Sequence, residues 1–141
     1  MKQMRIAGVV ALVAGSLALQ VQVSAQTTRD AEKQFRAAQY KQQVQGDLKG
    51  AIEDYKKLAQ GPDRMLAARA LLAMGETYQA LGAPDARGVY AEIVRDFTEP
   101  KEVVATARAR LAELEQEIEA LRREVRELRA RHQSEPEVKS A

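Results

Sequence analysis

The side chains that most often perform chemistry are scarce in this chain of 141 residues. It contains a single histidine, His132, and no cysteine, so thiolate nucleophiles, disulfides and thiolate metal sites are excluded. It also contains no Gly-x-Ser-x-Gly elbow and no glycine-rich phosphate loop. A lone histidine in a polar stretch is far more often a surface residue than a ligand or a general base. We therefore expect a non-catalytic protein with no metal and no cofactor.

The strongest pattern in the sequence lies between Glu99 and His132, where apolar residues recur at alternating intervals of three and four. This spacing is the a/d pattern of a coiled coil. No glycine or proline occurs between Pro100 and Pro136, so we expect a single helix about 50 Å long. After Val104 and Ala107, the stripe continues as a predicted oligomer seam, formed by Leu111, Leu114, Ile118, Leu121, Val125 and Leu128.

The residue types along the stripe favour two parallel strands, because the a positions are mostly β-branched and the d positions mostly leucine. A parallel homodimer would form oppositely charged interchain pairs, Arg110 with Glu115, Glu117 with Arg122, and Glu124 with Arg129. An antiparallel overlap stays open, because residues 113–119 are largely acidic and residues 122–131 largely basic, and a higher oligomer is a further alternative. The same charges also fit a solvated helix face with ion pairs inside one chain and a stripe that packs internally.

Composition and length indicate one all-α domain with an extension. Only 4% of the residues are aromatic, 30% are charged, and tryptophan is absent. This balance is typical of a helical protein whose core is built from alanine and leucine.

The first 25 residues have the pattern of a signal peptide. Lys2 and Arg5 precede an apolar run, and Val23-Ser24-Ala25 places small residues before a cleavage site at Gln26. The alternative is an uncleaved membrane anchor, although the run is short for a span of about 20 residues. Cleavage would leave a periplasmic or secreted chain with equal numbers of acidic and basic residues. We therefore expect no nucleic-acid partner and no membrane contact after cleavage.

Turn and capping residues divide the remaining chain into five helices after a polar lead-in at residues 26–29. Asp47 and Asp63 are predicted N-caps, and Gly82 is a predicted left-handed C-cap. Residues 30–99 form the predicted repeat domain, residues 100–132 the long helix, and residues 133–141 a disordered polar tail. The first four helices are predicted at Asp30–Val44, Leu48–Ala59, Arg64–Leu81 and Pro84–Asp96.

The second and fourth helices share a small residue followed four positions later by a tyrosine. Ala51 and Tyr55 correspond to Ala86 and Tyr90, 35 residues further on. This pattern resembles the tetratricopeptide repeat family, in particular its exported bacterial members. The resemblance covers residues 30–97, and Gln39 departs from it where the family has glycine. The matching positions of the second repeat are Leu71, Met74, Gly75, Tyr78, Ala86, Tyr90 and Ile93.

The resemblance implies two helical hairpins that bind a protein or peptide on the inner side of their first helices. Because two repeats are fewer than a stable stack needs, we expect Val103, Val104 and Ala107 to cap the second hairpin. The implied partner-binding residues are Lys33, Arg36, Tyr40 and Gln43 in the first helix, with Arg69, Leu72, Glu76 and Gln79 in the third.

These features predict an exported adaptor or scaffold that joins other proteins and is itself a homodimer through its coiled coil. The competing interpretations are a structural coiled-coil tether in the cell envelope, a scaffold segment of a larger protein, and an enzyme subunit that contributes no catalytic residue.

Overall fold

A computed structural model describes residues 26–134, and this part of the chain is all-α, as predicted. Helix α1 spans residues 26–40 and continues as a π-helical turn, Lys41–Gln45. The other helices are α2 (Leu48–Ala59), α3 (Arg64–Ala80), α4 (Asp85–Asp96) and α5 (Lys101–Ser134). The predicted signal peptide and residues 135–141 of the predicted tail lie outside the described residues.

The predicted helix boundaries hold to within a few residues. The lead-in at residues 26–29 is helical and belongs to α1, and α5 continues two residues beyond His132. Asp47 caps α2 by accepting a hydrogen bond from the Gly50 amide, and Asp63 caps α3 through two amides. Gly82 has the left-handed conformation of a C-cap, with φ of 65°.

The helices form two stacked hairpins, α1–α2 and α3–α4, and α5 packs along α4 and α3. The hairpins meet in one apolar core, in which Tyr55, Tyr90 and Ile93 are fully buried. Arg64 at the start of α3 donates to the Asp96 carbonyl and lies 4.3 Å from the centre of the Phe97 ring. These contacts hold the start of α3 against the end of α4.

The two hairpins repeat one side-chain contact. The Tyr55 hydroxyl donates to Gln42 Oε1 at 2.8 Å, and the Tyr90 hydroxyl donates to Gln79 Oε1 at 3.1 Å. In each hairpin a buried tyrosine of the second helix is thus satisfied by a glutamine near the end of the first helix. The repetition predicted from Ala51, Tyr55, Ala86 and Tyr90 is therefore present as a structural repeat.

The segment from Gln42 to Tyr55 in the first hairpin is two residues longer than the segment from Gln79 to Tyr90 in the second. The two extra residues lie in different parts of that segment. Gln42 lies four residues before the left-handed Gly46, whereas Gln79 lies three residues before Gly82. The extra residue on this side coincides with the π-helical turn, which accommodates one more residue than an α-helical turn. The second extra residue lies between Gly46 and Tyr55.

Helix α5 divides into two unlike halves. Val103, Val104 and Ala107 are buried against the repeats, as expected of a capping helix. The described residues after Ile118 are all exposed, including Leu121 (55%), Val125 (46%) and Leu128 (54%). At 1.5 Å per residue, positions 118–134 extend about 25 Å past the repeats.

Candidate interaction surfaces

The residues predicted to bind a partner lie on α1 and α3, and most of them are exposed. Lys33, Arg36 and Tyr40 project from α1, and Gln43 projects from the π-helical turn that continues it; Tyr40 is 54% exposed. On α3, Glu76 and Gln79 are exposed, whereas Arg69 and Leu72 are only partly exposed. We call these eight residues the polar face.

Arg69 links the two helices of the polar face. Its guanidinium forms an ion pair with Glu32 of α1 at 2.6 Å and lies 4.6 Å from the centre of the Phe35 ring. Such a guanidinium, paired on one side and stacked on the other, loses much of its freedom to reach a ligand. Leu72 packs against the core. Both residues therefore help to hold α3 against its neighbours, in addition to any contact with a partner.

A shallow groove of about 330 Å³ runs between α3 and α5. It is lined by Glu76, Gln79 and Ala80 of α3 and by Arg110 of α5. Arg110 also forms an ion pair with Glu113 at 3.1 Å, and this contact raises the pKa of the arginine. The groove thus offers a carboxylate, an amide and a guanidinium to a polar ligand.

Burial and nearby charges shift the pKa values of several groups beneath the polar face. Burial, followed by the negative charge of Glu76, raises the pKa of Tyr55 and of Tyr90 to about 12. In the π-helical turn, Lys41 donates a hydrogen bond to Asp54 of α2, which lowers the pKa of that carboxyl and raises the pKa of the lysine. The ion pair connects the irregular end of α1 to α2.

Only part of the predicted oligomer seam is accessible to a helix of another chain. Leu111 and Leu114 are partly buried and pack against the core of their own chain. Ile118 is half-buried, and only the last three residues of the predicted seam are exposed. The part free to meet another helix is Ile118, Leu121, Val125 and Leu128, which we call the free seam.

Ion pairs within the chain already involve part of the predicted interchain network. Glu115 pairs with Arg87 of α4 at 3.1 Å, and Arg110 pairs with Glu113. Arg122 pairs with Glu119 at 2.7 Å. Within residues 26–134, Glu117, Glu124 and Arg129 form no ion pair, so these three charges flank the free seam without a partner.

Three residues outside the predicted binding set contribute to these surfaces. Glu32 orients Arg69, Arg87 anchors α5 through Glu115, and Arg110 lines the groove beside Glu76. The heptad pattern identifies Arg110 only as a coiled-coil flank, because heptad position alone does not say which helix a side chain faces. Arg87 carries no sequence signal that distinguishes it from a surface arginine.

Within residues 26–134, no three His, Asp or Glu side chains cluster closely enough to hold a metal ion. In the same part of the chain, no helix combines the length and the apolar character needed to cross a membrane.

No protein-family model matches this chain, and neither does any curated protein or solved structure. The resemblance to tetratricopeptide repeats therefore remains a prediction, which depends on the residues quoted above and on the two stacked hairpins.

Proposed function

We propose that this protein is a non-catalytic, exported adaptor of the tetratricopeptide repeat type. It binds a protein or peptide on its polar face and is brought into pairs by the free seam. The observation that supports this proposal is the division of labour along the chain. One set of exposed, long polar side chains lies on the repeats, and a separate apolar stripe projects beyond them.

The chemistry of the polar face fits an extended peptide. Lysine, arginine, glutamine and glutamate side chains offer donors and acceptors, and Tyr40 adds an exposed ring. The groove between Glu76 and Arg110 adds a place where one polar group of the peptide can be held between two opposite charges. Pairing two such faces in one molecule would raise the avidity for a partner that carries two binding sites.

A photo-crosslinking amino acid at Tyr40 tests the adaptor function. It is introduced into the full-length sequence and activated in living cells, with Lys56 on the exposed side of α2 as the matched control position. We expect a discrete adduct from Tyr40 and none from Lys56. Identical adducts from both positions, or none from Tyr40, would contradict a binding role for the polar face.

Export is tested separately by the mass of the purified protein. Cleavage after Ala25 yields a chain that begins at Gln26, whereas an uncleaved anchor keeps Met1–Ala25.

The second candidate function is a structural tether in the cell envelope, or a scaffold segment of a larger protein. The projecting half of α5 favours it, because a tether needs only the free seam. Two variants distinguish the proposals: one lacks the free seam, and the other lacks the side chains of Tyr40 and Gln43. If only the first abolishes the protein's effect in cells, the tether is supported and the adaptor is contradicted.

A further inference from the structure

We infer that the free seam is covered by the same segment of a second copy of this chain, and that the two segments run antiparallel. This inference rests on the dimerisation included in the proposed function and specifies its geometry. The residue types of the seam favour the opposite, parallel arrangement, so the inference follows from what surrounds the seam.

The apolar stripe of α5 is continuous, but its first half is already covered. Val104 and Ala107 are buried by the repeats, and Leu111 and Leu114 pack against the same core. At the point where the stripe becomes free, Arg87 in the first turn of α4 reaches Glu115 at 3.1 Å. Two shallow surface hollows, which share Ile118 and Arg122, continue from there along α5 as far as Arg129. A helix seated in the free seam therefore lies nearly in line with α4, beyond the start of α4.

A parallel partner helix would overlap sterically with α4. Because α5 is one uninterrupted helix, the partner's residues 101–117 would run on alongside residues 101–117 of the first chain. The stripe of a straight helix drifts by about 20° per heptad, so it turns by about 40° between Val104 and Ile118. Two helices can pack side by side on a third, with axes about 9–10 Å apart, only if their positions around the axis of the third helix differ by about 60°. The drift is too small to carry the partner past α4.

An antiparallel partner limits this overlap to the last turn of its helix, which lies beside residues 112–115, where α4 begins. Its helix approaches α4 with the end at Ser134, and its repeats lie at the far end of the pair. The register that uses the whole free seam places Ile118 against the second copy's Leu128 and Leu121 against its Val125. All four apolar side chains of each chain are then covered.

The flanking charges are consistent with this register at its two ends. Glu117, which has no ion pair within residues 26–134, lies nearest to Arg131 of the second copy. Arg129 of the second copy, also without an ion pair in the described part of its chain, lies beside Glu115.

At the centre of the pair, Glu124 faces Glu124 of the second copy, and Arg122 faces Arg122 of the second copy. Both are contacts between like charges. Arg122 is already paired with Glu119 at 2.7 Å. Solvent-exposed pairs of this kind change an association constant only a few-fold. The volume occupied by α4 therefore outweighs the charge pattern that favours a parallel pair.

Single cysteines distinguish the two orientations, because the chain contains none of its own. In protein purified from cells that express the full-length sequence, Glu124→Cys places the two thiols near each other only in an antiparallel pair. His132→Cys does so only in a parallel pair, since antiparallel strands separate these positions by about 27 Å. Ala120→Cys, on the outer side of the helix, is the matched control. We expect a disulfide-linked dimer from Glu124→Cys alone.

The substitution Glu124→Gln gives a second readout that involves no cross-link. It removes the contact between like charges in an antiparallel pair and should tighten the dimer about twofold to threefold in sedimentation experiments. In a parallel pair it removes the attraction to Arg129 and weakens the dimer.

Cross-linking through His132→Cys, equal cross-linking of all three cysteine variants, or a weaker Glu124→Gln dimer would overturn the inference. A monomeric wild-type protein would overturn both the inference and the dimeric part of the proposed function. Partner binding at the polar face would still be judged independently by the adduct at Tyr40.

Discussion

At the scale of single residues, the second hairpin depends on one close approach. Gly75 of α3 lies directly against the ring of Tyr90, and a Cβ atom at position 75 would be 2.6 Å from Tyr90 Cε1. The ring is fully buried and its hydroxyl is held by Gln79, so it has little room to move. Glycine is required here for its lack of a side chain rather than for its backbone freedom.

Gly75→Ala should therefore destabilise the protein by about 1–3 kcal/mol, as is typical of overpacking in a closely packed core. Gly88→Ala is the matched control, because Gly88 is exposed in α4 and a Cβ atom there would have no neighbour within 4 Å. The control should be neutral or stabilise by roughly 0.5–1 kcal/mol. Denaturant unfolding measures both changes, and equal effects of the two variants would rule out the close approach.

The buried tyrosines should make stability fall at alkaline pH. Tyr55 and Tyr90 have pKa values raised from 10.0 to about 12, so the unfolded chain loses these protons first as the pH rises. Their contribution is complete below about pH 10 and is lost between about pH 10 and 12, at roughly 2–3 kcal/mol per tyrosine.

Unfolding free energies measured from pH 8 to 11 test this dependence. The double variant Tyr55→Phe, Tyr90→Phe is less stable at neutral pH because it loses two hydrogen bonds, but its stability should fall less steeply above pH 10. A decline of the same steepness in the variant would assign the alkaline sensitivity to other groups.

At the scale of elements, α5 serves both as the last layer of the repeat stack and as a projecting arm. Val103, Val104 and Ala107 close the core over α4, and Leu111 and Leu114 continue that contact. Beyond Glu115, which is tethered to Arg87, the helix leaves the repeats.

Truncation should separate these roles. A chain that ends after Glu99 loses the burial of both valines, each contributing about 1.5–3 kcal/mol, and we expect it to be unfolded in circular dichroism. A chain that ends after Gln116 keeps the capping contacts and should melt cooperatively. If both truncated chains fold equally well, the first half of α5 is not a structural cap.

The division of α5 cannot be derived from its heptads. A stripe at 3.5-residue spacing is equally suited to an intramolecular neighbour and to a helix of another chain, because both bury the same side chains. For this reason the sequence assigns Leu111 and Leu114 to the oligomer seam, although they pack against their own repeats. The caps at Asp47 and Asp63 are predictable, because they depend only on local sequence.

The polar face shows the same limit. The resemblance predicts which positions of α1 and α3 point away from the core, and Lys33, Arg36, Glu76 and Gln79 are indeed exposed. It does not predict that Arg69 is held by Glu32 and Phe35, since this contact joins residues from different hairpins.

At the scale of the whole molecule, the residues that stabilise the fold are not those proposed to pair two copies. The repeat core is complete within one chain, and the free seam lies outside it. The protein should therefore be able to lose its partner copy without unfolding.

Changing Leu121, Val125 and Leu128 to glutamine tests this separation. Light scattering should show a dimer for the wild-type protein and a monomer for the variant, and both should have the same thermal unfolding midpoint. Leu114→Gln is the matched comparison, because it alters the stripe where the core covers it and should lower the midpoint. A variant that unfolds together with its dissociation would show that the repeats depend on the pair.

Because α5 is uninterrupted, it also sets a fixed distance between sites along the molecule. With no glycine or proline between Lys101 and Ser134, the helix fixes the orientation of its far end relative to the groove at Arg110. In the proposed antiparallel pair, the two Arg110 positions would lie about 40 Å apart along the common axis. A ligand that repeats one binding segment at this interval would engage both grooves at once, whereas a shorter interval would leave one groove empty.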